Sequence, residues 1–95
     1  MTEEKIGAEL ARLFWEIGDH NKKIASYEIE LKQIGRLIES TGRSIQGLHL
    51  GIDWSALQEG IGRAQSLLTQ HANEVVASGA KAKQLAEIEA VQVKA

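Results

Sequence analysis

Apolar residues recur along the first half of the chain at alternating steps of four and three: Ile6, Leu10, Leu13, Ile17, His20, Ile24, Tyr27, Leu31, Ile34, Ile38, Thr41 and Ile45. Ten of these twelve positions are apolar, so the stripe is nearly unbroken. A repeat of 3.5 residues keeps one stripe of an α-helix turned toward a partner, and the spacing therefore predicts a long helix with a coiled-coil seam. With Leu10 as heptad position a, the a row holds Leu10, Ile17, Ile24, Leu31, Ile38 and Ile45, and the d row holds Ile6, Leu13, His20, Tyr27, Ile34 and Thr41. A second stripe follows at Leu57, Ile61, Ala64, Leu68, His71, Val75, Ser78, Ala82 and Leu85. Beyond it Glu89 and Gln92 occupy the seam, and Ile88 and Val91 fall beside it.

The rhythm breaks in QGLHLGIDWSALQ, residues 46–58. Gly47 and Gly51 suit the left-handed conformation that closes a helix, because glycine has no side chain to clash there. Asp53 suits an N-cap, and Ser55 and Gln58 have the spacing of a capping box. The break thus reads as a turn between two helices, and a short connection makes consecutive helices antiparallel neighbours. The predicted fold class is all-α: one coiled-coil-like helical-hairpin domain, with helix 1 over about 3–46, the turn at about 47–53 and helix 2 over about 54–92. Folding at Gly51 pairs residues whose numbers sum to about 102, such as Ile34 with Leu68 and Ile17 with Leu85. Leu48, Leu50, Ile52 and Trp54 are expected to plug the turn end of the seam.

A single seam is a thin core, since a small scaffold without disulfide or metal rarely nets more than about 3 to 5 kcal/mol. Phe14 at e and Leu37 at g in the first helix, and Leu67 and Ile88 at g in the second, widen the stripe. Such widening is expected of helices in a bundle of four, so the hairpin is expected to form a homodimer. Trp15 and Ile29 fall at the outermost position f, with Lys22 between them and Arg36 beyond, and Val76 at b also points outward. An outward Trp with basic neighbours has the composition of an interaction hot spot. Phe14, Trp15, Ile29, Leu37, Leu67, Val76 and Ile88 are therefore the expected partner or oligomer contacts, and Leu50, Asp53 and Trp54 the turn residues. Glycines at Gly7, Gly35, Gly42, Gly60, Gly62 and Gly79 each cost a helix roughly 1 kcal/mol, which points either to close helix approach or to local softness.

Composition narrows the chemistry. The chain has 95 residues, no proline, no cysteine and a formal net charge of −2, which bounds it to one domain without disulfides, thiol nucleophiles or cysteine-bound zinc. Its basic residues are scattered among acids, with no run longer than Lys22–Lys23, and a nucleic-acid partner wants a basic stripe. No apolar run is long enough to span a bilayer, and MTEEKIGAEL is acidic where a signal peptide is basic and then apolar. A cytoplasmic protein with no membrane or nucleic-acid partner is expected. In the antiparallel register His20 and His71 differ in height by about eleven residues, roughly 16 Å, and His49 lies in the turn. The Glu-x-x-His signature of di-iron bundles is missing, so no metal or cofactor is expected. His20 and His71 read instead as polar seam residues that set register, with a metal- or pH-responsive bundle as a weaker alternative. GIGR at Gly60 is too short for a phosphate loop and lies inside a predicted helix, and no enzyme is expected.

A helical hairpin of this length with Trp54 at its turn resembles small secreted WXG-type proteins in architecture. Their Trp-x-Gly stands here as Trp54, Ser55 and Ala56, and their C-terminal Tyr-x-x-x-acid signal is missing, so the likeness is one of shape. The resemblance implies a secreted hairpin as the alternative function. The leading expectation is a non-enzymatic protein–protein interaction module: a small helical adaptor, chaperone-like subunit or inhibitor that presents a helix face to another protein.

Overall fold

The structure, a computed structural model, describes the backbone of residues 3–94 and the side chains of residues 3–91. Two helices make up nearly all of it: α1, Glu3–Gln46, of 44 residues, and α2, Trp54–Lys94, of 41. Proline-free sequence lets both run unbroken. Glu3 and Glu4 in the first turn of α1 and Arg43 in its last complement the helix dipole. α2 has no acid in its first turn; instead Asp53 caps it, its Oδ1 accepting the Ala56 N–H at 3.0 Å. Ser55, a candidate for the capping box, lies inside the helix.

The chain forms two compact units: Met1–Ile24 with Ala72–Ala95, and Ala25–His71. In each, a stretch of α1 packs antiparallel on a stretch of α2. The first unit joins Glu16 to Lys81 and Asn21 to Ser78, around the fully buried Leu13. The second joins Glu28 to His71 and Glu30 to Arg63, around the fully buried Leu67. Gly60 is buried there, and a Cβ at that position would lie 3.3 Å from Leu37 and 3.6 Å from Ile34. Of the two explanations for the helical glycines, close approach holds at Gly60, whereas Gly7, Gly35, Gly42, Gly62 and Gly79 face open space.

The reversal differs from the expected one. No glycine takes a positive φ; the left-handed residue is Leu48, at φ 58°. Leu48 N–H donates to the Ile45 carbonyl at 3.1 Å and His49 N–H to the Ser44 carbonyl at 3.0 Å, the nested pair of a Schellman closure. The chain therefore turns at 48–49, before Gly51. Cross-helix partners shift accordingly: Leu37 lies against Gly60 and Glu30 reaches Arg63, both nearer the turn than a fold at Gly51 predicts.

The packed row of α2 also differs. Its shielded residues include Leu57, Gly60, Ala64, Leu67, His71, Glu74, Ser78, Lys81, Leu85 and Ile88, a regular three-four repeat, with Ala56, Gln70 and Ala77 partly shielded beside it. Ile61, Leu68, Val75 and Ala82, placed on the seam by apolarity, are exposed, and Ile88 is in phase rather than beside it. Gln92, assigned to the seam, has its side chain outside the described residues. The cause is that the apolar face of α2 holds two overlapping heptad rows, and α1 selects between them. Glu16 and His20 on α1 find partners in Lys81 and Glu74, which belong to the packed row alone, while Gly60 admits Leu37 closely. These matches favour the row that carries charge over the row that is more apolar.

Two expected outcomes follow from this packing, both measured by urea unfolding. Leu48→Gly relieves a left-handed leucine that packs on little, and stabilises the fold by about 1 kcal/mol. Gly62→Ala, in open space, stabilises by about 1 kcal/mol, whereas Gly60→Val drives methyls into Leu37 and Ile34 and costs about 1 to 3 kcal/mol.

Candidate interaction surface

The unit built on Met1–Ile24 and Ala72–Ala95 holds a half-buried polar cluster. His20 Nδ1 pairs with Glu74 Oε2, while Lys81 Nζ donates to His20 Nε2 at 2.9 Å. This geometry fits a neutral imidazole carrying its proton on Nδ1. Lys81 Nζ also stands 3.0 Å from Glu16 Oε2, an oxygen shielded from solvent. The approach is off the hydrogen-bonding angle, so the contact is one of opposite charge. Arg12 donates to Glu16 Oε1 at 2.9 Å and pairs with Glu9. The Lys81 ammonium, with Arg12 behind it, holds the Glu16 carboxyl below its ordinary value of 4.5 against the opposing effect of burial. Ser78 Oγ donates to Asn21 Oδ1 at 3.0 Å one turn away. His20, expected as a polar seam residue, is thus tied to both Glu74 and Lys81 across the helices.

The clustered groups do not converge on a cation. Among the described residues no three His, Cys, Asp or Glu side chains could hold one metal ion. His71 lies in the other unit, on Glu28 at 3.0 Å.

The expected contact residues separate into three groups. Phe14, Trp15, Ile29 and Val76 are exposed, Trp15 at 74%, and Phe14 and Trp15 line a shallow groove with Gly18, Asp19 and Lys22. Leu37 is only partly exposed because it covers Gly60, and Ile88 is half-buried in the packed row of α2. Leu67 is fully buried between the helices, which removes it from any surface offered to a partner. Its seven-residue phase belongs to the packed row, whereas the row one residue later is the free one. Ile61 and Leu68 are exposed in one unit and Val75 in the other, Leu68 at 57%. Apolarity alone assigns these three to the core; the signal that places them outside is the run of cross-helix charge partners in the neighbouring row.

The turn residues stand apart from these three groups. Asp53 caps α2 as expected. The apolar plug does not form: Leu48 is 87% exposed, Leu50 100% and Trp54 56%. Ile52 alone turns inward, lining with Gly51 and Asp53 a small recess against Leu37, Ser40, Thr41 and Ser44. The early reversal at Leu48 leaves the residues after it beyond the end of the seam.

Among the described residues no helix is long and apolar enough to cross a membrane. In comparisons with known proteins, no family model, no curated protein and no solved structure matches the chain.

Substitutions separate the roles in the polar cluster. His20→Leu strands Glu74 and is expected to cost about 1 to 2 kcal/mol, while His20→Leu with Glu74→Leu recovers most of the loss because both polar groups leave together. The Glu16 contribution is present in full above pH 4.5 and is lost as pH falls through its depressed folded value. Glu16→Gln should therefore flatten stability against pH below that point, as read by urea midpoints in an acid series.

Proposed function

We propose that the chain is a non-enzymatic interaction module whose hairpins pair into a four-helix bundle, leaving an outward helix face for a second protein in an adaptor, chaperone-like or inhibitory role. The observation that carries this reading is that Ile61 and Leu68, one heptad apart in the unit built on Ala25–His71, are apolar and exposed beside a seam that is already filled, as Val75 is in the other unit. Removing a row of Ile, Leu and Val from water is the most economical way to stabilise so thin a core. Phe14, Trp15, Ile29 and Val76 remain as candidates for the second protein, with Trp15 as the anchor. A cytoplasmic setting belongs to the same proposal and rests on the cysteine-free composition.

Sedimentation equilibrium at micromolar concentration tests the pairing. The expected mass is twice 10.4 kDa, and Leu68→Glu is expected to give a monomer of lower thermal stability. A wild-type mass of one chain across that range overturns the bundle. Trp15→Ala should leave the unfolding midpoint within about 0.5 kcal/mol of wild type, since it fills no core.

A further inference from the structure

The turn is built at a cost that its own stability does not explain. A leucine holds the left-handed position of the α1 closure, although glycine stands on one side of it at Gly47 and nearby at Gly51. Its side chain packs on little, and Leu50 packs on nothing. Trp54 stands beside them, more than half exposed, at the first position of α2. Backbone strain kept where no contact repays it points to a role outside the fold.

We infer that this turn is a lipid-contacting tip, which places Leu48, Leu50 and Trp54 at the boundary between headgroups and acyl chains of an uncharged, zwitterionic membrane surface. Three observations select this occupant. Leu50 is wholly exposed, and a fluid lipid layer closes around such a side chain without a matching pocket. Four amides around the tip are already bonded within the chain, Gly47 to the Arg43 carbonyl, Leu48 to Ile45, His49 to Ser44 and Ile52 to Leu50, which leaves those of Leu50 and Gly51 to the headgroup layer. Withdrawing the backbone from water therefore costs less than for an open loop. Finally, no charged residue lies between Arg43 and Asp53 apart from the titratable His49, and these two flanks cancel. Nothing at the tip selects anionic lipid, and an indole beside aliphatic groups suits the interfacial depth where tryptophan collects.

This contact is distinct from a membrane span and from a helix lying on the surface, and it does not depend on the pairing proposed above. It is tested on the full chain by flotation with phosphatidylcholine vesicles, together with Trp54 emission in a Trp15→Phe background. The chain is expected to float, with a blue shift of Trp54 and no release at high salt. Leu50→Asp should lower the partition coefficient at least about tenfold while helicity and melting point stay unchanged, because that side chain touches nothing. Leu48→Gly should raise the melting point and yet weaken partition several-fold; a purely structural turn would not give opposite signs. Failure to float with phosphatidylcholine overturns the inference. So does flotation of Leu50→Asp equal to wild type, or binding restricted to anionic vesicles and dissolved by salt. Loss of self-association or of a protein partner in Leu50→Asp, without vesicle binding by the wild type, assigns the tip to a protein contact instead and equally overturns it.

Discussion

Within each unit two helical stretches share one line of contact, and that line must be filled by whichever row of α2 best answers α1. The answer is set by polar chemistry as much as by apolar area. His20 and Glu16 stand on or beside the α1 seam, where charge is costly to leave unmatched, and Glu74 and Lys81 lie within reach in a single heptad phase of α2. Once that phase faces inward, Leu67 and Gly60 come with it. Ile61, Leu68 and Val75 are carried outward by the same rotation. The free apolar row and the half-buried polar cluster are thus two consequences of one choice.

The same choice limits the core. Leu13 and Leu67 are the large side chains fully removed from water among the described residues, and apart from the small Gly60 and Ser78 the other packed positions are half-buried at best. Specificity of alignment comes from the pairs that cross the seam rather than from jigsaw packing, because a charge displaced by one turn loses its partner whereas a leucine displaced by one turn finds another. Gly60 adds a steric mark to the electrostatic ones, since the approach of Leu37 leaves room for little more than a hydrogen at that point.

The turn obeys a different logic from the seam. Nested hydrogen bonds close α1 and the Asp53 carboxylate opens α2, so the backbone and the cap are well satisfied. Its side chains are not: Leu48 and Leu50 are almost wholly exposed, and Ile52 alone turns inward. A segment that is ordered in its main chain and unsatisfied in its side chains is suited to contact with something outside the chain.

From the residues by themselves follow the two helices, their ends at Gln46 and Trp54, the antiparallel reversal and the cap at Asp53. All are local properties, set by a 3.5-residue period, by the absence of proline and by a short carboxylate before a run of helix formers. The exposed Trp15, Ile29 and Val76 were legible for the same reason, as each falls at an outward heptad position; Phe14, at e beside the stripe, is exposed although the period placed it next to the seam. What the tertiary structure decided is non-local. Whether α2 buries Leu68 or Leu67 differs by one residue, about 100° of helix rotation, and both phases of the sequence are apolar enough to serve. The left-handed position likewise fell to Leu48 although glycines flank it, and that displaced the reversal and turned Leu50 and Trp54 outward. Periodicity measures how apolar a face is, whereas packing answers to what the opposite helix presents, and that information lies some fifty residues away along the chain.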